Sequence, residues 1–163
     1  MLHTLLIAAH AVGGTAAFAA GCLALRPPPR GVPPTFRVYL GALGVMVLFV
    51  VLAVALDWGT LDSGSRVLLG ALIVLALYVG WRGWQAYQML QRRGAGWIDA
   101  YLDGVGFTLI ALFDGFVIIT ALDLGAPVWL IVVIGVLGIL VGRGALRRTK
   151  TRVARDAPDD ERV

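Results

Sequence analysis

Charged residues are scarce in this sequence, and their scarcity indicates the class of protein. Only 15% of the 163 residues are charged, 59% are hydrophobic, and the mean hydropathy is +0.84. Soluble domains carry about a quarter charged residues, so the composition excludes an ordinary soluble domain and predicts an integral membrane protein whose main partner is the lipid bilayer. The arginines that give the net charge of +4 fall between and after the apolar runs. That distribution indicates membrane topology and argues against a nucleic-acid partner.

Cysteine pairs and catalytic motifs are also lacking. Cys22 is the only cysteine and lies inside an apolar run, which excludes a disulfide within the chain. The sequence holds no Walker loop, no dinucleotide fingerprint, no Cys-x-x-Cys pair and no zinc-protease or serine-hydrolase motif. Apolar runs occupy nearly all of the sequence and leave no room for a soluble catalytic domain. We therefore expect a protein that is not an enzyme.

What the sequence does contain is five apolar runs, each near the length of roughly 20 residues that a helix needs to cross a bilayer. We place them at 4–25, 38–56, 67–89, 98–122 and 127–146. The connections are short, so consecutive helices should be antiparallel neighbours. The prediction is an all-α integral membrane protein, with a five-helix transmembrane domain over 1–148 and a disordered polar cytoplasmic tail over 149–163.

Basic residues alternate between the two sides of the predicted bundle. The first and third connections and the end of the fifth helix are rich in arginine, whereas the other side carries Arg66 with three aspartates. Short arginine-rich loops face the cytoplasm, so the N-terminus is predicted outside and the C-terminus in the cytoplasm. No Lys or Arg precedes Arg26. The first run is therefore interpreted as a retained helix, and cleavage or lipidation at Cys22 is the alternative.

Two pairs of similar segments suggest an internal duplication. The second and fourth helices end in ALDWG (55–59) and ALDLG (121–125), while the third and fifth contain VGWRG (79–83) and VGRG (141–144). The repeat would be parallel, with the hairpin of helices two and three echoed by helices four and five. The alternative is chance similarity, because Ala, Leu, Gly and Val are so frequent in this chain.

Two ionisable groups inside the predicted spans form the first candidate site. At 1.5 Å per residue, His10 lies about 9 Å from the outer end of the first helix and Asp114 about 12 Å from the outer end of the fourth. Because such groups are costly in contact with lipid, we predict that His10 and Asp114 meet, directly or through one water, as a proton or metal site. In the alternative, His10 bonds a carbonyl or hydroxyl and Asp114 is neutral or caps a break in its helix.

An acidic stripe on the fourth helix supplies the second candidate pair. The stripe consists of Asp99, Asp103, Ile110 and Asp114. Steps of four and eleven residues return almost to the same helical angle, so these residues share one face. Arg82 on the third helix is predicted on the same side of the membrane as Asp103, and the two could pair. The alternative is that Arg82 extends to the membrane interface.

Glycine is abundant, and its spacing predicts close helix packing. The chain has 21 glycines, among which Gly138 and Gly142 form a small-x-x-x-small pattern on the fifth helix. Two uses are open. The pattern could serve packing inside the chain, or it could join two copies or a membrane-protein partner through glycine-rich helix faces.

Histidine is too scarce to predict a haem site from this chain alone. His3 is seven residues before His10, hence on nearly the same face and about 10.5 Å away along the axis, too far for both to ligate one metal. Haem sites of this kind usually use histidines on a second helix, and the sequence has no others. We predict no cofactor, although one axial haem ligand, or one from each subunit of a dimer, stays open.

Several stretches carry a resemblance to known sequences: HAVGGTAAFAAG, a basic proline-rich turn, YLGALG, and GFTLIALFDGFVIITALDLGAPVWL before a glycine-rich last helix. They resemble small polytopic predicted membrane proteins of actinobacteria, and the excess of Arg over Lys suits a GC-rich bacterial genome. Relatives of this type tend to carry a histidine in the turn after helix one, whereas this chain reads PPTFRVYLG there. The resemblance therefore implies a multi-pass protein of a bacterial cytoplasmic (inner) membrane and does not extend to a haem or metal role.

Three functional interpretations follow from the sequence. In the first, the protein is an accessory or structural membrane subunit, whose polar residues satisfy one another and whose glycines dock it to a partner. In the second, it is a proton- or metal-handling transport module with its site at His10 and Asp114. The third, a haem-binding redox subunit, has less support because histidines are few. We prefer the first because no motif points to a substrate.

Overall fold

The computed structural model describes residues 2–26 and 31–156, and every regular element within them is an α-helix. The five helices are α1 (Leu2–Ala24), α2 (Pro34–Asp57), α3 (Ser63–Arg92), α4 (Trp97–Asp123) and α5 (Val128–Asp156). Each contains a stretch long and apolar enough to cross a membrane. The predicted all-α class and its five spans are therefore confirmed, and they indicate a multi-pass membrane protein.

Local chemistry sets the starts of α2 and α3. Pro33 precedes α2 and Pro34 begins it, where a missing N–H costs little. At the start of α3, the Asp62 carboxylate accepts hydrogen bonds from the backbone N–H of Gly64 at 2.8 Å and of Ser65 at 3.1 Å, as an N-cap does. The Ser65 hydroxyl and these backbone donors hold the pKa of Asp62 below its usual range.

The first four helices form a closed ring, and the fifth lies outside it. α1 packs against α2, α2 against α3, α3 against α4, and α4 returns to α1. Within the part of the chain that the structure describes, α5 packs against α4 alone. The fourth helix is therefore shared, with one side in the ring and another in contact with α5.

Buried aromatic side chains and their hydroxyl groups occupy the centre of the ring. The Phe36 ring lies 5.2 Å from that of Tyr39 and 5.6 Å from that of Tyr101, measured between centroids. The Tyr101 hydroxyl donates to the Ala24 carbonyl at 2.6 Å, which joins α4 to the end of α1. The Tyr39 and Thr108 hydroxyls hydrogen-bond at 2.5 Å and join α2 to α4. Because polar groups in hydrocarbon need partners inside the protein, these bonds fix the register of three helices.

The fifth helix is longer than the apolar run that predicted it. The run was placed at 127–146, with a disordered tail from 149, but α5 continues to Asp156. The first eight residues of the predicted tail are therefore helical, which corrects that boundary. Contacts explain the extension, because the Thr149 hydroxyl donates to the Ala145 carbonyl at 3.1 Å and Lys150 forms ion pairs with α4. The rest of the predicted tail, 157–163, lies outside the described residues.

Candidate functional site

His10 lies in the interface between α1 and α2. Its half-buried imidazole donates a hydrogen bond from Nδ1 to the Met46 carbonyl oxygen at 3.0 Å. Gly13, one turn further along α1, faces the same part of α2, and a Cβ there would lie 3.0 Å from the Met46 backbone nitrogen. The missing side chain lets the helices approach closely enough for the imidazole to reach a backbone carbonyl. This geometry matches the alternative interpretation, in which His10 bonds a carbonyl.

Asp114 lies in a different interface, between α4 and α5. Its carboxylate occupies the space where a Cβ of residue 138 would be, so only a glycine fits opposite it. The residue is 9% exposed. Among the described residues, no basic side chain or hydrogen-bond donor pairs with it. Asp114 is therefore a buried carboxyl group in a helix long and apolar enough to cross a membrane, packed against α5 at Gly138.

The structure does not bring His10 and Asp114 together. The imidazole faces α2 and the carboxylate faces α5, and no hydrogen bond or ion pair joins them in the described ranges. Depth along a helix, which can be counted from the sequence, does not determine the direction in which a side chain faces. The prediction rested on similar depth, and the two side chains face different helices. The geometry of the described residues therefore does not support a site shared by these two groups.

Asp103 pairs with a residue of α5 that the sequence had placed in the predicted tail. The Lys150 Nζ lies 2.8 Å from an Asp103 carboxylate oxygen and 3.5 Å from one of Asp99. Both aspartates belong to the acidic stripe, so the stripe faces α5 at this end. The sequence analysis had suggested Arg82 of α3 as the partner of Asp103 and had placed Lys150 in the disordered tail. The ion pairs show instead that the polar end of α5 is part of the helix packing.

Arg82, the predicted partner of Asp103, contacts other residues. Its Nη1 donates to the Gln85 side-chain oxygen at 3.0 Å, and the guanidinium carbon lies 5.7 Å from the centroid of the Phe107 ring. Its Nε is buried without a hydrogen-bond partner in the described residues. The structure thus does not bring Arg82 and Asp103 together. The guanidinium lies along its own helix and against an aromatic ring of α4, an arrangement that supplies cation–π attraction.

The glycines of α5 pack against α4 within the chain. Ile110 fills the space beside Gly142 in the same way that the Asp114 carboxylate fills the space beside Gly138, and in both cases an added Cβ would collide. The small-x-x-x-small face is thus covered by α4 of the same chain. Of the two uses left open by the sequence, internal packing is the one seen at these glycines.

These contacts belong to one antiparallel interface, which we call the α4–α5 seam and define as residues 99–118 of α4 with 135–150 of α5. Further pairs continue the same register, because Leu146 lies against Gly106 and Ile118 lies 3.5 Å from a Cβ position at Gly135. Each step of three or four residues on α4 is matched by a similar step on α5. The acidic stripe of the sequence is therefore the α4 side of this seam.

Metal binding finds little support in the described residues. No group of three or more His, Cys, Asp or Glu side chains within them could hold a metal ion. The side chain of His3 lies outside the described residues.

The polar contacts that sequence reasoning missed are those of Tyr39, Thr108 and Tyr101 in the ring. A signal that could have found two of them is the Tyr-Leu pair that occurs near the start of both α2 and α4, at 39–40 and 101–102.

Comparison of this chain with family models, with curated proteins and with solved structures finds no match.

Proposed function

We propose that this chain is an accessory or structural subunit of a bacterial inner membrane, with its N-terminus outside and its C-terminus in the cytoplasm. The observation that carries the proposal is that four polar side chains of the ring find their hydrogen-bond partners inside it. His10 is bonded to a backbone carbonyl of α2, Tyr101 to one of α1, and Tyr39 to Thr108. Polar groups arranged in this way stabilise a fixed helix bundle, whereas a transport pathway needs polar groups that face a cavity or substrate.

The shape of the bundle supports docking to a partner. α5 contacts one helix of its own chain in the described residues, and its outward side is apolar, with Val136, Leu140 and Val141 more than half exposed. Lipid can cover such a face, and so can a helix of a second copy or of another membrane protein. Because Gly138 and Gly142 are already used in the seam, a homodimer formed through α5 would have to use this outward side.

Reporter fusions test the orientation. Fusions after Arg93 and Arg148 are expected to report a cytoplasmic position, and fusions at Asp62 and Gly125 an external one, because the arginine-rich connections should stay inside. A cytoplasmic signal at Asp62 would reverse the orientation.

A second candidate function, proton handling, is favoured by Asp114. This carboxyl group lies within a span, has no cationic partner among the described residues, and contacts the backbone of α5. Ionisable groups in membrane spans commonly mark proton or ion pathways. Here the site would be Asp114 in the seam rather than the pair of His10 with Asp114.

Purified protein in sealed vesicles separates the two functions. An imposed pH gradient should decay as slowly as in protein-free vesicles if the protein is an accessory subunit. Proton flux that is present in the wild type and lost in Asp114→Asn would establish proton handling instead. A hydrophobic carbodiimide, which modifies carboxyl groups from the lipid phase, gives a second readout. Labelling that Asp114→Asn removes and Asp103→Asn leaves unchanged would place a reactive acid in the seam.

A further inference from the structure

A groove that opens sideways towards lipid runs between α2 and α3. Its volume is about 570 Å³, and it is lined by apolar side chains and two glycines. The lining includes Leu40, Gly44, Val47 and Val51 of α2 with Gly80 and Trp84 of α3. The glycines keep it open, because a Cβ at Gly44 would meet no atom within 4 Å and one at Gly80 would meet Val47 only at 3.5 Å.

The length of the groove matches one leaflet of a bilayer. Leu40 and Val51 mark its ends on α2, and the eleven helical steps from one to the other correspond to about 16 Å of helix. Half of a hydrocarbon core is about 15 Å. A transmembrane helix from another chain would be about 10 Å wide and would continue through both leaflets. An extended acyl chain that starts at the membrane surface fits this narrow, one-leaflet groove better.

A cation lies at the end of the groove where a lipid headgroup would be. Arg37 precedes Leu40 by three residues and Gly44 by seven, so it lies on the same face of α2, one turn closer to the membrane surface. Its side chain is exposed and has no hydrogen bond or ion pair in the described residues. Trp84, which lines the groove at this same end, is 49% exposed, as is typical of tryptophan at the membrane interface. An apolar groove that leads to an unpaired guanidinium is complementary to a phosphate joined to an acyl chain.

We propose that the groove between α2 and α3 is a binding site for an anionic phospholipid, with one acyl chain in the groove and the phosphate paired with Arg37. The site lies in the leaflet that contains the start of α2. It is independent of the seam and of either function proposed above, since neither α4 nor α5 lines it.

Fluorescence quenching by brominated lipids tests the site in the full-length protein. Wild type and Trp84→Phe are reconstituted in vesicles that contain brominated phosphatidylglycerol or brominated phosphatidylcholine, and the signal of interest is the quenching that Trp84→Phe removes. The anionic lipid is expected to bind near Trp84 about fivefold more tightly than the zwitterionic one, the ratio that one basic residue near the membrane surface provides. Arg37→Gln should remove this preference, and Gly44→Leu should reduce quenching by both lipids because the new side chain occupies the groove.

Two control variants keep the result decisive. Trp129→Phe removes an exposed tryptophan of α5 outside the groove, and the quenching it removes should show no headgroup preference. Gly144→Leu introduces the same side chain as Gly44→Leu at another glycine with open space around it, and should leave quenching at Trp84 unchanged. All variants are compared only if their helical circular dichroism matches wild type. Equal quenching by the two lipids, or quenching that survives Gly44→Leu, would overturn the proposal, as would crosslinks between copies across the groove.

Discussion

The two hairpins of the molecule, α2–α3 and α4–α5, differ in how far side chains of the facing helix cover their glycines. In the α4–α5 seam, side chains of α4 fill the space beside Gly138 and Gly142 so completely that a Cβ would collide. Between α2 and α3, the space beside Gly44 is empty, and Gly80 has only ordinary contact with Val47. The seam is therefore closed at these two glycines, whereas the α2–α3 interface is closed at Gly83, where a Cβ would lie 2.6 Å from a Leu43 side-chain carbon, and open along the groove.

Glycine spacing alone therefore does not determine how closely two helices pack. Gly142 meets Ile110, which is long and branched enough to reach the opposite backbone, whereas no side chain of the described residues reaches Gly44. The hairpins also differ in position, since α3 is a member of the ring and α5 is held by α4 alone in the described residues. The segments that suggested a parallel repeat thus lie in two different packing environments, and the duplication itself stays a prediction.

The largest difference in stability is expected when the same side chain is added at a glycine of each hairpin. Gly138→Leu places a side chain in the space held by the Asp114 carboxylate, and overpacking of this kind costs roughly 1–3 kcal/mol. Gly44→Leu adds the same side chain to open space and should be nearly neutral. The free energy of unfolding, measured by denaturant titration in micelles, compares them. Equal destabilisation by the two variants would mean that the seam is not closed as described.

A smaller loss of stability is expected when a hydrogen bond of the ring is removed. Tyr101→Phe deletes the hydroxyl that donates to the Ala24 carbonyl, and bonds between membrane helices contribute on the order of 0.6 kcal/mol, up to about 1.7. Tyr78→Phe is the matched control, because the Tyr78 side chain is 43% exposed and its hydroxyl has no hydrogen bond in the described ranges. Thermal unfolding followed by circular dichroism measures both. If the two variants unfold at the same temperature, the hydroxyl of Tyr101 does not hold α1 to α4.

The ion pairs at the end of the seam should contribute still less to the stability of the protein. Lys150→Gln removes the contacts to Asp103 and Asp99, but these carboxylate side chains are 49% and 73% exposed, and exposed pairs contribute about 0.2–1 kcal/mol. The effect should shrink at high salt because the charges are screened. Arg148→Gln serves as the control, since its exposed side chain has no ion pair in the described residues. A loss that does not depend on salt would point to packing of the lysine stem instead.

The smallest effect should come from the exposed turn of the α2–α3 hairpin. Because the pKa of Asp62 is lowered in the folded protein, the stability that it contributes is present above its unfolded pKa and is lost as the pH falls through the folded pKa. Asp62→Asn keeps an N-cap without a titrating group. The variant should therefore show less loss of Tm than wild type between neutral pH and about pH 3. If Tm falls equally with pH in the two proteins, Asp62 does not contribute to the loss of stability in acid.

The spans could be predicted from the sequence because hydropathy and length are local properties of the chain. The five helices follow from runs of about 20 apolar residues, and the acidic stripe of α4 follows from helical periodicity. The partner of each polar residue could not be predicted. His10 and Asp114 face α2 and α5, which depends on α5 lying outside the ring. Lys150 was assigned to the disordered tail because the segment around it is polar. In the structure this segment is helical, and Lys150 forms an ion pair with Asp103 of α4.

Disulfide crosslinking tests most directly the claim that Asp114 faces α5 and not His10. The background is Cys22→Ser, which leaves no other thiol in the chain. The pair Asp114→Cys with Gly138→Cys should form a disulfide within one chain on mild oxidation, because the two positions are in contact across the seam. The pair His10→Cys with Asp114→Cys should stay reduced under the same conditions. Rapid crosslinking of the second pair, with none in the first, would contradict the seam and restore the site at His10 and Asp114.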